Sequence, residues 1–336
     1  MTTTTSELVG SGSRLRAIRK HLWIGRRLLA GIVILFAVSV LVFFATQALP
    51  GNPATVILGS RATPQAVAEL ERQLGLDKPI LTQYLTWLGH TVTGNLGKSV
   101  LNGQTVSSLI GDRIVNTAVL VLLSALVGLP LSLILGAWAG ARRDRMIDHG
   151  ISTFALFANA IPDFVLALML LIIFSTTVFH WLPSVFVLAP GQNPLSDLTA
   201  FVLPVATLAS GTIAYLSRLV RGSVIDVYQS EFVRMARLKG APERVVLWRH
   251  VLPNALVPAV QGSALALAYL TGGVVVVEAV FNYPGLGSQL DAAITSRDMP
   301  QIQAIVMIFA AAYVVFNLLG DILTVYLTPR LRTEGA

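Results

Sequence analysis

Residues 116–140 read NTAVLVLLSALVGLPLSLILGAWAG and contain no charged side chain. A helix needs about 20 predominantly apolar residues to cross the roughly 30 Å hydrocarbon core of a bilayer, and this stretch meets that requirement. Small residues recur in it at every fourth position: Gly128, Ser132, Gly136 and Gly140. Because small residues on one face let another helix approach closely, the stretch predicts a membrane-spanning helix whose packing face meets another helix of the bundle or a partner.

Five further apolar stretches extend this pattern along the chain. With the first, the predicted spans are 28–49, 116–140, 154–179, 201–217, 255–278 and 302–327. The fourth is short and contains Pro204 and Gly211. The pattern predicts an all-α polytopic membrane protein with six transmembrane helices and both termini on one side.

The composition excludes most other classes of protein. The chain has 336 residues, of which 54% are hydrophobic and only 12% are charged, too little charge for an ordinary soluble enzyme and too much apolar surface for a disordered chain. It has no Cys, which excludes disulfides and thiolate metal sites. The five His are scattered, and no metal-binding pair, nucleophile elbow or catalytic carboxylate pair is found. We therefore predict no catalytic site, no metal site and no cofactor bound to this chain.

The net charge of +7 indicates orientation rather than nucleic-acid binding. Of the 24 basic residues, 18 lie on the side of the N-terminus and 6 on the opposite side. The excess of basic residues in cytoplasmic loops predicts that both termini are cytoplasmic. We accordingly predict cytoplasmic tails at 1–27 and 329–336, and no nucleic-acid partner.

Residues 50–115 are too long for a simple connection and predict a small helical subdomain outside the membrane. Thr63 and Pro64 are typical of a helix start, and Gly75 of its end. A second helix is predicted from Ile80 to about Val92. The subdomain is either a cap on the outer helix ends or a docking face for an external protein. A sequence at 94–99, GNLGKS, ends like a phosphate-binding loop, but Val92 stands where that pattern needs its first Gly.

Three acidic residues lie inside or at the edge of the predicted spans: Asp163, Glu278 and Asp321. Charges in the hydrocarbon core are costly and usually face the bundle interior or a wet path. Since all three are near span ends, pairing at the interface is the first interpretation. The second interpretation is that these acids belong to a translocation path. An ion-coupled secondary transporter, driven by an ion gradient through them, is the alternative function.

The cytoplasmic loop 218–254 carries seven basic residues interleaved with apolar ones. Gly240 and Pro242 interrupt it, which predicts a helix, a sharp turn and a second amphipathic helix. Such a loop either lies on anionic lipid or presents its apolar face to a cytosolic partner.

This loop resembles that of ATP-binding-cassette importer permeases, whose motif is E-A-A-x3-G-x9-I-x-L-P. Ala236, Gly240, Leu252 and Pro253 match it, whereas Arg234, Met235 and His250 replace the usual residues. The wider context resembles the dipeptide and oligopeptide (peptide/nickel) permease subfamily. Three other segments share that likeness: 49–53, LPGNP; 74–79, LGLDKP, leading to Tyr84 and Trp87; and 278–281, EAVF, leading to 284–287, PGLG. Thr328 departs from the Asp common in the family.

The resemblance implies a type I importer fold, with a five-helix permease core at 116–328 and an ATPase-coupling helix in the loop 218–254. The implied coupling residues are Glu231, Arg234, Ala236, Lys239, Gly240, Ala241, Glu243 and Arg244. Candidates for the translocation path or gate are Asp163, Glu278, Pro284, Gly285 and Gly287.

The resemblance also implies partners. They are a second, homologous permease subunit, two cytosolic ATP-binding subunits that carry ATP and Mg²⁺, and an extracytoplasmic peptide-binding protein, all at a bacterial inner membrane. The cargo stays open among dipeptides, oligopeptides, glutathione, nickel and other solutes.

Overall fold

The structure, a computed structural model, describes residues 5–48, 53–59, 62–186 and 194–327. The chain has π-helical turns at Ile172–Thr176 and at Val246–Val251. The predicted tail 329–336, Thr328 and residues 49–52 lie outside the described residues. The helices are α1 (Thr5–Gln47), α2 (Pro53–Leu58), α3 (Pro64–Leu74), α4 (Ile80–Val92), α5 (Val106–Ala141), α6 (Met146–Ala160), α7 (Asp163–Leu171), α8 (Val202–Tyr228), α9 (Glu231–Leu238), α10 (Glu243–Val245), α11 (Leu252–Val280), α12 (Leu286–Ser296) and α13 (Met299–Leu327).

Among the residues that the structure describes, five helices are long and apolar enough to cross a membrane, which confirms the all-α polytopic prediction. They are Gly25–Gln47, Val106–Ala141, Thr199–Tyr228, Glu243–Val280 and Met299–Thr324. The predicted fourth span, 201–217, continues without a break to Tyr228, so the loop begins at Gln229 rather than at Arg218. The helix following the Gly240 turn is likewise continuous with the fifth span through Val246–Val251.

The predicted third span, 154–179, is not one straight helix. It begins earlier, at Met146, and α6 and α7 are bent by 102° at Ile161 and Pro162. Proline lacks the N–H for a helical hydrogen bond and forces the preceding residue out of the helical region. Ile161 accordingly has extended backbone angles, φ −89° and ψ 125°. Pro162 is visible in the sequence, but the apolar stretch on both sides of it predicts one continuous span.

The bundle has two distinct ends. We call the end that carries residues 53–105 and 281–298 the cap end, and the end that carries residues 142–145 and 229–251 the loop end. The bent pair α6–α7 starts just after 142–145 and finishes beside Leu182 and Phe186, which belong to one core with Phe281 and Tyr283. It therefore runs from one end to the other and, counted as one broken span, gives a sixth crossing.

The small-residue face of α5 packs against α8. A Cβ on Gly136 would lie 2.5 Å from the carbonyl oxygen of Ser217 and 2.7 Å from the Val220 Cβ. A Cβ on Gly140 would lie 2.7 Å from the Val224 Cβ. Ser132 is buried in the same seam. The predicted packing face is thus confirmed, and its partner is another helix of this chain.

The cap end is held by aromatic contacts. Phe186 packs edge-on against Phe201 and Tyr283, with ring centroids 5.0 and 4.7 Å apart. In the predicted subdomain, Tyr84 of α4 packs against Phe43 of α1 at 5.3 Å. Helix α3 begins and ends as predicted: the Ala66 N–H donates to the Thr63 hydroxyl, and Gly75 has φ +70°. These contacts favour the interpretation of residues 53–105 as a cap on the helix ends.

Candidate functional site

The turn at the centre of the loop end is set by Gly240. Helix α9 ends at Leu238, and Gly240 adopts φ +79°, a left-handed conformation that glycine reaches without strain. The Ala241 N–H donates to the carbonyl of Ala236 at 3.2 Å and closes the turn. Nothing lies within 4 Å of a Cβ built on Gly240, so the predicted sharp bend is confirmed and the space beside it is open.

One face of this loop is anchored in the bundle. Val233 of α9 is fully buried, and so are Val246 and Val251 in the following π-helical turn. These three valines form one core with Val220 and Val224 of α8. The loop is therefore fixed to the ends of α8 and α11 rather than hanging free from them.

The opposite face of the loop is apolar and exposed. Phe232, Met235 and Leu238 of α9 and Trp248 of the π-helical turn have exposed side chains, and Leu238 and Trp248 are 76% and 67% exposed. Single exposed apolar residues are ordinary, but several together on a rigid segment mark an interaction site. We call these four residues the apolar loop face. The predicted coupling set omitted them, although their alternation with basic residues is visible in the sequence.

Charged groups surround the apolar loop face. Among the predicted coupling residues, Glu231, Arg234, Lys239, Gly240, Glu243 and Arg244 are exposed, and Ala236 and Ala241 are half-buried. Glu243 accepts two hydrogen bonds from the guanidinium of Arg237, at 2.7 and 3.2 Å. This hydrogen bonding raises the pKa of Arg237 above its ordinary value. The Arg237 guanidinium also lies over the Tyr228 ring, 5.3 Å from its centroid, and so ties α9 to the end of α8.

An ion pair with a buried carboxylate joins α6 to α8 at the loop end. Asp148 of α6 is 1% exposed and accepts a 2.7 Å hydrogen bond from Nη2 of Arg221 on α8, with a second from Nε. The Asp144 N–H and the Ser152 hydroxyl also donate to it. Sequence reasoning missed this pair. Its one signal is an acidic residue that follows the basic run 142–145.

Glu278 forms the centre of a polar cluster at the cap end. This carboxylate is fully buried and accepts from the Thr117 hydroxyl and the Gly287 N–H, both at 2.6 Å. A Cβ on Gly285 would overlap the Glu278 carboxyl group, so the turn needs glycine there. The carbonyl of Pro284 accepts from the Asn116 amide at 2.8 Å. Four of the predicted path candidates are thus together, in an arrangement that fixes the 283–288 turn. Their role in a path stays a prediction.

The other two intramembrane acids differ from each other. Asp321 pairs with Arg27 at 2.6 Å, as the interpretation of pairing at the interface predicts. Asp163, at the bend between α6 and α7, is half-buried and accepts a 3.4 Å hydrogen bond from the hydroxyl of Tyr269.

The phosphate-loop-like segment 94–99 has a structural partner. Its Ser99 hydroxyl donates to the buried carboxylate of Asp298, and Lys98 forms an isolated bridge with Thr105. The segment ties residues 94–105 to the corner between α12 and α13. Within the described residues, no three His, Cys, Asp or Glu side chains are grouped to hold a metal ion.

Comparison with known proteins adds the family. The family described as binding-protein-dependent transport system inner membrane component matches residues 128–333, and the family of its N-terminal part matches residues 21–121. A Brucella abortus (strain 2308) protein named as a peptide transport system permease is 36% identical over 309 residues, covering 92% of this chain and 98% of that protein. A protein of Salmonella choleraesuis named as a glutathione transport system permease is 35% identical, covering 91% and 97%. A solved amino acid ABC transporter matches with a TM-score of 0.49 at 20% identity, over 67% of this chain and 95% of that chain. This chain belongs to the family of inner membrane components of binding-protein-dependent transport systems.

Proposed function

We propose that this chain is one of two similar permease subunits of an ATP-driven importer of di- or oligopeptides. The names of its relatives support the cargo class, since they specify peptides or the tripeptide glutathione. Membership of the binding-protein-dependent family favours this function over an ion-coupled secondary transporter. The family is a transport component rather than an enzyme, and ATP and Mg²⁺ belong to the partner ATPases in this proposal.

The apolar loop face is the observation that carries the proposal. It combines large exposed side chains on one side with buried valines on the other, so a partner bound to it can move the bundle. An amphipathic helix that lays its apolar face into a groove is a recurring mode of recognition. Glu231, Arg234 and Arg244 would form the polar rim of that contact, since central apolar residues and a polar rim are typical of interfaces. The open space beside Gly240 would let the ATPase surface approach closely.

The two ends of the bundle then have different partners. The loop end meets the cytosolic ATPases, with both termini in the cytoplasm. The cap end faces the outside and receives the peptide-binding protein against residues 53–105 and 281–298. The second permease subunit completes the path across the bacterial inner membrane.

Gly240→Asp tests the coupling contact. The added carboxylate would enter the open space beside the turn and obstruct the ATPase, and the backbone strain of a side chain at φ +79° is matched in the control. We expect the variant to insert normally, to lose uptake and to lose co-purification of the ATPases in mild detergent. Gly103→Asp is the matched control, because Gly103 has φ +69° and open space but lies at the cap end. ATPases that co-purify undiminished with Gly240→Asp would contradict the proposal.

Deletion of α3, residues 64–74, tests binding-protein docking at the cap end. We expect the binding protein no longer to stimulate ATP hydrolysis by the reconstituted complex, whereas the ATPases still co-purify. Stimulation equal to that of the unaltered complex would show that the cap subdomain serves only to cover the helix ends.

A further inference from the structure

The bend between α6 and α7 places a carboxylate inside the membrane-spanning part of the bundle. Asp163 is the first residue of α7, and Pro162 directly precedes it. It lies beside Gly211 of α8 and Gly273 of α11. At 1.5 Å per residue these positions are about 10 to 14 Å from the cap-side ends of their helices. Asp163 therefore lies about two turns or more inside the cap-side ends of these two spanning helices rather than at them.

The neighbouring helices leave room for this carboxylate. A Cβ on Gly273 would lie 3.1 Å from Oδ2 of Asp163, and one on Gly211 would lie 3.6 Å from Oδ1. The Tyr269 hydroxyl donates to Oδ2 at 3.4 Å. The Asp163 side chain is half-buried, and the Tyr269 side chain is 58% exposed. The pair is thus open on one side rather than enclosed.

Asp163 lacks the compensation that the other intramembrane acids have. Glu278 accepts several hydrogen bonds, and Asp321 pairs with Arg27. Within the described part of the chain, no Lys or Arg forms an ion pair with Asp163. A carboxylate inside a spanning helix bundle is costly unless it faces water or a cation. The Asp163 carboxylate is therefore arranged as we expect of a group that binds a cation from outside the chain.

Asp163 also lies beside a line of exposed positions along α11. Gln261, Leu265, Tyr269, Gly272 and Val276 are exposed at helical spacing and form one stripe. At the loop side, Gln261 and Leu265 line a cavity of about 760 Å³, together with Tyr215 and Asn317. Two of the five stripe residues, Gln261 and Tyr269, are polar, and polar side chains within spanning helices usually face the bundle interior or a wet path. The stripe joins this cavity to Asp163.

We propose that the Asp163 carboxylate and the Tyr269 hydroxyl form a binding point for an ammonium group of the cargo as it passes along the α11 stripe. The inference rests on the proposed function and names the part of the peptide that is recognised. An ammonium group has three donors and one positive charge, which match a carboxylate and a hydroxyl oxygen that is also free to accept. A carboxylate group of the cargo would be repelled. A bare metal ion would need more ligands than this carboxylate and hydroxyl supply.

Thiol labelling tests the electrostatics independently of cargo. Because the chain has no Cys, Gly272→Cys creates a unique reactive position, and nothing lies within 4 Å of its Cβ. In membranes that contain the complete transporter, we expect a cationic methanethiosulfonate ethylammonium reagent to react at least tenfold faster than its anionic sulfonate analogue. Adding Asp163→Asn should remove this preference. Leu265→Cys, farther along the stripe, should keep its reagent preference whether or not Asp163 is replaced.

Uptake of radiolabelled trialanine by proteoliposomes tests the role in transport. We expect Asp163→Asn to lower uptake about tenfold and Asp163→Glu to restore much of it, because hydrogen bonds to charged groups are the strong ones. The ATPases should still co-purify, which separates this result from a failure of coupling. An unreactive Gly272→Cys, an unchanged reagent preference, or full uptake by Asp163→Asn would each overturn the proposal. If the unaltered complex imports no peptide, the proposed cargo fails, and labelling alone decides whether the site attracts cations.

Discussion

The 278–298 corner at the cap end and the 231–248 segment at the loop end are held in place by different kinds of contact. At the cap end, buried carboxylates such as Glu278 and Asp298 accept hydrogen bonds from neighbouring segments. At the loop end, large apolar side chains such as Leu238 and Trp248 are left exposed on a firmly packed segment. The 278–298 corner therefore satisfies its buried polar groups within one chain, whereas the loop segment leaves apolar surface for a partner to bury.

This difference separates two kinds of mutational effect. Substitutions among satisfied buried groups should lower the stability of the chain itself. Substitutions on the exposed apolar loop face should leave stability intact and weaken assembly with the ATPases. Unfolding of the purified chain in mixed micelles, followed by tryptophan fluorescence, measures the first effect, and co-purification measures the second.

Glu278→Ala should have the largest effect on stability. It leaves the Thr117 hydroxyl and the Gly287 N–H buried without their acceptor, and we expect a loss of about 4 kcal/mol in the free energy of unfolding. The matched change at the loop end, Glu243→Ala, removes only an exposed ion pair with Arg237 and should cost less than about 1 kcal/mol. Equal losses for the two variants would remove the distinction between the ends.

Asp148→Asn should have the next largest effect, although it lies at the loop end. It disrupts the paired hydrogen bonds with Arg221, and we expect a loss of about 2 kcal/mol in the free energy of unfolding. Asp144→Asn is the control, because the pair of Asp144 with Arg143 is exposed. A double-mutant cycle with Arg221→Met should give a clear coupling energy. A cycle with no coupling would show that the pair does not anchor α6 to α8.

Gly136→Ala should destabilise the seam shared by both ends. The added methyl group meets Ser217 and Val220, and overpacking of this kind costs about 1.5 kcal/mol. Gly111→Ala, in the same helix but with open space around its Cβ, should instead be neutral or slightly stabilising. The difference in unfolding free energy between these two variants measures the packing of α5 on α8.

The double substitution Met235→Ser and Leu238→Ser should have the smallest effect on stability. Both side chains are exposed, so we expect a change within about 0.5 kcal/mol. Co-purification of the ATPases should nevertheless fall at least tenfold, because apolar anchors dominate such contacts. Leu101→Ser, an exposed apolar residue at the cap end, should not alter co-purification. Retention of the ATPases by the double variant would contradict the assignment of the apolar loop face.

The sequence predicted the features that depend on local pattern. Apolar length located five spans, the four-residue spacing located the α5 seam, and Gly240 located the turn at the loop end. Thr63 and Gly75 bounded α3 correctly. In each case the physical cause lies within a few residues, so it is readable without knowledge of the fold.

Features that apolar pattern alone does not report were missed or misjudged. The 102° bend arises at Pro162, but hydropathy alone treats the two flanking helices as one span. The pairing of Asp148 with Arg221 joins residues 73 positions apart. The function of Glu278 as the acceptor for the 283–288 turn likewise depends on how α11 folds back on α12. Apolar periodicity contains no information about such partners.

The unbroken course of α8 gives the chain a mechanical element. Its 27 residues form a rod about 40 Å long, from Phe201 in the cap-end aromatic cluster to Tyr228 beneath Arg237. Because α5 packs along α8 through its small-residue face, we expect the two helices to move together. We expect a push on one end of α8 to reach its other end as a tilt of the whole helix.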